Sequence, residues 1–258
     1  MNQGQKLAIP AAPRRVRYKK TNEEKEKSEQ EHLTLVLAAA HTAINILHQH
    51  QLHAAIFGSL ACKLYGNSRC PKDADILVFS PSDNIDAETL KRLIVATAPG
   101  YFYLKNARDP AATYRILWFR PPSPSKRRES KVDILVPGPM SLPSIPLPRL
   151  RWVSGLPLAP FPFILLHKLK GWSDHRAAPE GFKRARQSTD AADVRRLLEI
   201  ATEMRLLQAL PSWSADSELF DAELQADSIV RVKEYCAEFP GRAERWRSLG
   251  FDVPEPEV

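Results

Sequence analysis

Cysteine is scarce: Cys62, Cys70 and Cys236 are the only three in 258 residues. They are too few and too scattered for a disulfide framework or a four-ligand zinc site, and a reducing compartment is the simplest reading. Long apolar runs are lacking as well. No stretch approaches the roughly 20 apolar residues that span a bilayer, and the chain begins with polar and basic residues instead of the apolar core of a signal peptide. The first 22 residues hold no acid. That leaves mitochondrial and nuclear addresses open, but little serine and the breaks at proline rank a presequence helix behind a cytoplasmic location. No internal repeat is present.

What the chain does have is an ordinary globular balance, 43% hydrophobic and 26% charged residues, enough to bury a core. Lys and Arg total 37 against 30 Asp and Glu, a formal charge of +7. The excess is modest and favours polyanionic partners such as nucleotides or RNA. One α/β core with an appended segment fits better than two full domains. The expected division is a disordered basic arm over residues 1–22, an α/β core with an N-terminal helix over 23–153, a helical C-terminal region over 154–250 and a tail over 251–258.

Apolar periodicity predicts a helix from about Asn22 through His50, with Leu33, Leu35, Val36, Ala39, Ile44 and Ile46 on its buried face. His48, His50 and His53 are spaced poorly for one helical face, so they read as a polar helix end rather than a metal site. Strands are predicted at Ala54 to Phe57, Ile76 to Phe79, Tyr101 to Lys105, Tyr114 to Phe119 and Lys131 to Val136. A helix over Ser59 to Tyr65 ends at Gly66, and another over Asp86 to Ala98 turns Leu90, Leu93, Ile94 and Thr97 inward. Residues 80–83 read as a turn. The Pro/Ser-rich stretch 121–130 reads as a loop or hairpin tip whose triplet Lys126-Arg127-Arg128 could touch a polyanion. After a proline-rich crossing over 137–148 come helices at Pro162 to Trp172, from Ser188 or Thr189 with Val194, Leu197, Leu198 and Ala201 on one face, and from about Ser217 to Phe239.

Three short strings carry most of the chemistry. Gly58-Ser59 sits where a strand gives way to a helix; glycine lets a phosphate approach the backbone, a serine hydroxyl can donate to it, and N–H groups at a helix start favour an anion. Asp73-Ala74-Asp75 puts two carboxylates on one face of a strand, because residues two apart share a face. Paired carboxylates repel and are costly to desolvate unless a cation sits between them, and hard divalent cations prefer such oxygen ligands. Asp133, in Val132-Asp133-Ile134-Leu135-Val136, lies 58 residues beyond Asp75, on a strand that could pair beside it and bring a third carboxylate to the same metals. Each string alone also suits a turn, a cap or a strand end.

Their order and spacing resemble the nucleotidyltransferase superfamily, the DNA polymerase β-like fold. That pattern is an apolar strand, Gly-Gly or Gly-Ser, a short helix, Asp-x-Asp and a third acid flanked by apolar residues. The match covers about residues 54 to 136. Within it, Tyr65 to Asp73 resembles the segment before Asp-x-Asp in minimal nucleotidyltransferases of bacterial abortive-infection and toxin–antitoxin systems, with Pro71 where a threonine is usual. Lys168 is similar to a helix lysine those families aim at nucleotide phosphates. Arg176 and Thr189-Asp190-Ala191-Ala192-Asp193 are similar to a following Arg and a Lys-Asp-x-x-Asp motif, with Thr189 in the lysine's place.

The resemblance implies a mixed-sheet α/β (α+β) core with helices packed on it and a helical C-terminal region. It also implies metal-dependent transfer of a nucleoside monophosphate from a nucleoside triphosphate to an acceptor hydroxyl on RNA, protein or a small molecule. Asp73, Asp75 and Asp133 would be the catalytic acids and hold Mg²⁺ or Mn²⁺. Gly58, Ser59, Arg69, Lys72 and Lys168 would bind the nucleotide. A non-catalytic module of the same fold, binding nucleotide or RNA or scaffolding a partner, is the alternative that Pro71 and Thr189 keep open.

Overall fold

Apolar runs along the central strands build the sheet, and its two faces differ because Asp73, Asp75, Lys131 and Asp133 interrupt the apolar surface on one of them. The computed structural model describes residues 21–79, 85–122, 128–203 and 216–254. The expected basic arm apart from its last two residues, the turn at 80–83, Lys126 and Arg127 of the basic triplet, and residues 255–258 of the tail lie outside the described residues.

The chain enters through α1 (Asn22–Gln49). Thr21 and Glu24 close its first turn as a capping box, the Glu24 N–H donating to Thr21 Oγ1 (3.2 Å) and the Thr21 N–H to Glu24 Oε2 (2.9 Å). Its buried stripe adds Ala40, Ala43 and Leu47 to the expected residues, while Leu33 is only half-buried. The core elements follow as β1 (His53–Phe57), α2 (Gly58–Leu64), β2 (Asp73–Phe79), α3 (Ala87–Thr97), β3 (Phe102–Asn106), β4 (Arg115–Phe119) and β5 (Ser130–Leu135).

Together with β6 (Arg151–Val153) and β7 (Leu156–Leu158) these strands form one mixed sheet in the order β3-β4-β5-β2-β1-β7-β6. β2 runs antiparallel to β1 and parallel to β5. Residues Ala54, Ile56, Ala74, Ile76, Val78, Phe102, Leu117, Phe119, Val132 and Ile134 share one face, and each is at most 5% exposed. α1 packs on β1, β2 and β5, and α3 on β3 and β5. The other face carries Asp73, Asp75, Lys131 and Asp133. A one-residue slip of β5 would turn Asp133 into the apolar layer, where an unpaired carboxylate costs several kcal/mol on the order of a whole side chain's burial, so the register is firmly set.

α3 departs from expectation at two positions. Thr97 is exposed, donating to Leu93 O (2.9 Å) and lying 3.0 Å from His50 Nε2. Lys91 is buried in its stead because its ammonium finds Glu88 Oε1 and Arg115 O, both at 2.7 Å. His50 stands beside Thr97, whereas His48, beside Trp152, and His53, beside Phe79, line one shallow pocket.

The second half is helical, with one addition. β6 and β7 form a hairpin through Ser154 and Gly155, both at positive φ (50° and 74°) as its tight turn requires, and β7 pairs in parallel with β1 through Leu158. The sheet thus runs across residues 153 and 154. α4 (Phe161–Ala177) carries Pro162 in its first turn, where a missing N–H is harmless. α5 (Gly181–Arg184) and α6 (Gln187–Glu203) follow, α6 burying Val194, Leu197, Leu198 and Ala201. The next described helix, α7 (Ala222–Glu238), begins five residues later than its predicted start at Ser217, because Asp221 caps it by accepting from the Leu224 N–H (2.7 Å). α8 (Ala243–Ser248) closes the described chain. Among the described residues no helix is long and apolar enough to cross a membrane.

Candidate functional site

At the end of β1 the backbone must turn sharply into α2, and Gly58 does so at φ +57°. A side chain there would be strained in any case. It would also run into Asp75 Oδ2 and Cγ, so glycine is required on two independent grounds. The empty space beside Gly58 is what lets the Asp75 carboxylate stand against the strand-to-helix turn.

The three predicted acids share one side of the sheet through register. Asp75 is the parallel partner of Asp133, and Asp73 is the partner of Lys131. Burial pushes the Asp75 carboxyl up to about 7, and the negative charges of Asp73 and Asp133 add to the effect. One cation reaches the group directly: Lys131 Nζ lies 2.5 Å from Asp133 Oδ2. The donor set is all oxygen and suits a hard divalent cation in kind. As they stand, however, no three His, Cys, Asp or Glu among the described residues are gathered closely enough to hold a metal ion unaided.

Across the cleft lies a second charged cluster, made by α2–β2 loop residues, α4 and α6. Arg69 grips Asp193 with two parallel bonds, Nε to Oδ1 (2.8 Å) and Nη2 to Oδ2 (2.5 Å). Lys168 Nζ reaches Asp193 Oδ2 (3.0 Å) and stands 3.9 Å from Asp190 Oδ1, while the Asn67 amide donates to Asp193 Oδ1 (3.0 Å). Burial works against a charged Asp193, whose side chain is 1% exposed, but Arg69 and Lys168 outweigh it and hold the carboxyl below its ordinary value. Asp190 in turn accepts from His175 Nδ1 (2.6 Å). The two acids at the start of α6 are therefore buried anchors for cations, more than a charge bias on a helix end.

Between the two clusters is a cleft of about 420 Å³, in the size range of small-ligand sites. Asp73, Asp75 and Asp133, Gly58 and Ser59, and the basic Arg69, Lys72 and Lys168 all line it. Thr189, standing where a lysine was expected, lines it too. Arg176 does not: it faces Glu234 and Glu238 and covers the Trp172 ring. Arg128, the described member of the basic triplet, pairs with Glu31 (2.5 Å).

Four Lys, Arg or His side chains of the lining went unnoticed in the sequence: Lys131, His167, His175 and Arg186. Lys131 had a signal, since it stands two residues before Asp133 on one strand and so shares its face. His167 lies one residue before Lys168; burial among Phe57 and Phe163 lowers its pKa to about 4, so it is a neutral imidazole. His175 comes from α4 and Arg186 from the turn between α5 and α6, and neither carries a local signature.

No family model matches the sequence, and no curated protein matches it either. Solved structures do. An antigenic nucleotidyltransferase-like protein from Paracoccidioides brasiliensis superposes with a TM-score of 0.57 at 16% identity, over 87% of this chain and 94% of the other. A candidate nucleotidyltransferase from H. pylori gives 0.45 at 13% identity, over 87% and 82%. The antibiotic-resistance factor ANT(2'')-Ia gives 0.35 at 12% identity, over 70% and 97%. The first of these carries the conclusion, which concerns the fold alone: this chain has the nucleotidyltransferase, DNA polymerase β-like, fold.

Proposed function

We propose that the protein is a metal-dependent nucleotidyltransferase that moves a nucleoside monophosphate from a nucleoside triphosphate to an acceptor hydroxyl. The observation that carries this reading is the convergence of three carboxylates on one sheet face, opposite a wall of fixed cations, in a single cleft.

In the reaction an acceptor oxygen bonds to the α-phosphorus, the bond from that phosphorus to the bridging oxygen breaks, and pyrophosphate leaves. Asp73, Asp75 and Asp133 would hold Mg²⁺ or Mn²⁺, which when bound neutralises triphosphate charge and makes the acceptor hydroxyl more acidic. Gly58 gives the phosphates a close approach to the backbone, and the Ser59 hydroxyl donates to a phosphate oxygen. Lys168 and Arg69, both held by Asp193, offset charge developing on the leaving group. Fixing them beforehand means that little reorganisation is needed when that charge appears. Lys72 adds a cation at the rim, and Asp133 accepts the acceptor's proton. The acceptor is a hydroxyl of RNA, a protein or a small molecule, and the overall positive charge favours RNA.

The test is incubation of the pure protein with Mg²⁺ and each labelled triphosphate in turn. Transfer to an added acceptor or to the protein itself is expected, and is abolished in Asp73→Ala plus Asp75→Ala, a pair that relieves like-charge repulsion and so should fold. Transfer unchanged in that double variant overturns the assignment. A second reading, a non-catalytic module that binds nucleotide or RNA, draws support from the engagement of Asp133 by Lys131 and of Arg69 by Asp193. Calorimetry separates the two: metal-dependent triphosphate binding favours the enzyme, metal-independent RNA binding the module.

A further inference from the structure

Lys131 has no role in the reaction just described, yet its surroundings direct its charge into the acid cluster. It precedes Asp133 by two residues on β5, so both side chains leave the same side of the sheet, and it is the register partner of Asp73. Its ammonium lies 2.5 Å from Asp133 Oδ2. The nearest carboxylate before the strand, Glu129, is already taken: it accepts from the Tyr103 hydroxyl, from Lys105 (2.8 Å) and from Arg120 (3.0 Å). On β4 the neighbour of Lys131 is Trp118, and Lys105 Nζ stands 4.4 Å over that indole ring. A cation on that side repels Lys131 toward β2 and its acids.

We propose that Lys131 is a tethered cation that fills one cation position of the carboxylate cluster, so that Asp73, Asp75 and Asp133 take a single divalent ion rather than two. Three carboxylates and one ammonium leave a formal charge that one divalent ion balances. Loss of the ammonium opens a second position beside Asp133. The inference rests on the functional reading above for the cluster's affinity for divalent ions, and it assigns Lys131 a specificity role toward the metal, through Asp133.

The experiment is a Mn²⁺ titration of the full-length protein, followed by the electron paramagnetic resonance signal of free Mn²⁺. It is run on the wild type and on Lys131→Met, Lys131→Gln and Lys131→Arg, with folding checked by circular dichroism. The wild type and Lys131→Arg should take one Mn²⁺ per chain. The two neutral variants should take a second, or bind the first about tenfold more tightly. Equal stoichiometry, with affinities within about twofold across wild type and neutral variants, overturns the role of Lys131 and leaves the nucleotidyltransferase reading standing. Two equivalent Mn²⁺ ions in the wild type overturn it too. Absence of Mn²⁺ binding in every variant, even with a non-hydrolysable triphosphate analogue present, overturns both.

Discussion

Asp75 stands half-buried in the wall of the cleft and Asp193 lies buried behind Arg69 and Lys168, which line it, and their neighbours treat the two acids in opposite ways. Asp193 receives donors from Asn67, Arg69 and Lys168, and its carboxyl is held below its ordinary value. Asp75 has Asp73 and Asp133 for neighbours, no described side chain donates to it, and its carboxyl is pushed up to about 7. The first cluster satisfies its own charge. The second carries more negative charge than its surroundings balance, which is the observation the proposed metal role draws on.

The comparison breaks most visibly at Asp193. Replacing it with alanine leaves Arg69 and Lys168 as poorly solvated, unpaired cations, and urea unfolding should show a loss of about 3–5 kcal/mol; a loss below about 1 kcal/mol would mean that the cluster is not closed. Next comes Gly58→Ala, expected to cost about 2 kcal/mol for the left-handed backbone together with the collision against Asp75. In an Asp75→Ala background that cost should fall by roughly half, since only the backbone part remains. Equal costs in both backgrounds would deny the close approach.

A smaller and pH-dependent effect is expected at Asp75 itself. A carboxyl raised from 3.8 to about 7 in the folded protein binds more protons there than in the unfolded chain, so it subtracts stability progressively as pH rises through that interval. Asp75→Asn should therefore match the wild type below about pH 4 and exceed it by about 1–2 kcal/mol above about pH 7, a part of the roughly 4 kcal/mol that full conversion gives because the half-buried carboxyl keeps some solvent screening, with thermal melting as the readout. Added Mg²⁺ should narrow the difference at high pH, and a gap that is constant with pH would refute the cause given. The smallest effect belongs to Arg176, whose ion pairs with Glu234 and Glu238 are solvent-exposed. Arg176→Ala should change stability by no more than about 0.5 kcal/mol and leave triphosphate binding intact.

The strands of the core were legible because alternation is a local property: Asp73 and Asp75 had to share a face once β2 was a strand. The strand-to-helix turn was legible from Gly58-Ser59, though not the second reason for glycine, since nothing local says that Asp75 will stand against it. β6 and β7 were missed because each is three residues long and β7 carries Pro157, a residue that argues against a strand. The Asp193 cluster joins Arg69 to a helix 124 positions away, and pairing at that distance follows from tertiary packing alone. Lys131 fell between the two cases. Its side of the strand could be read from the spacing to Asp133, but its partner depended on Glu129 being occupied by Lys105 of β3 and by Arg120 just past β4.

The parallel pairing of β1 with β7 has a consequence for how the molecule is made. β1 ends at Phe57, and the strand that covers its second edge starts at Leu156, about 100 residues later. At ordinary translation speeds that separation lasts about 5–20 seconds. Over that interval β1 in the nascent chain can pair with β2 but exposes a row of free N–H and C=O groups on its other side, the usual starting point for intermolecular strand addition. The Ala159 N–H to Ile56 O bond (3.0 Å) and the Tyr65 hydroxyl bond to Ala159 O (2.8 Å) then close that edge. Synthesis from the N-terminus thus leaves the strand that leads into the site open to misassembly until the hairpin has emerged.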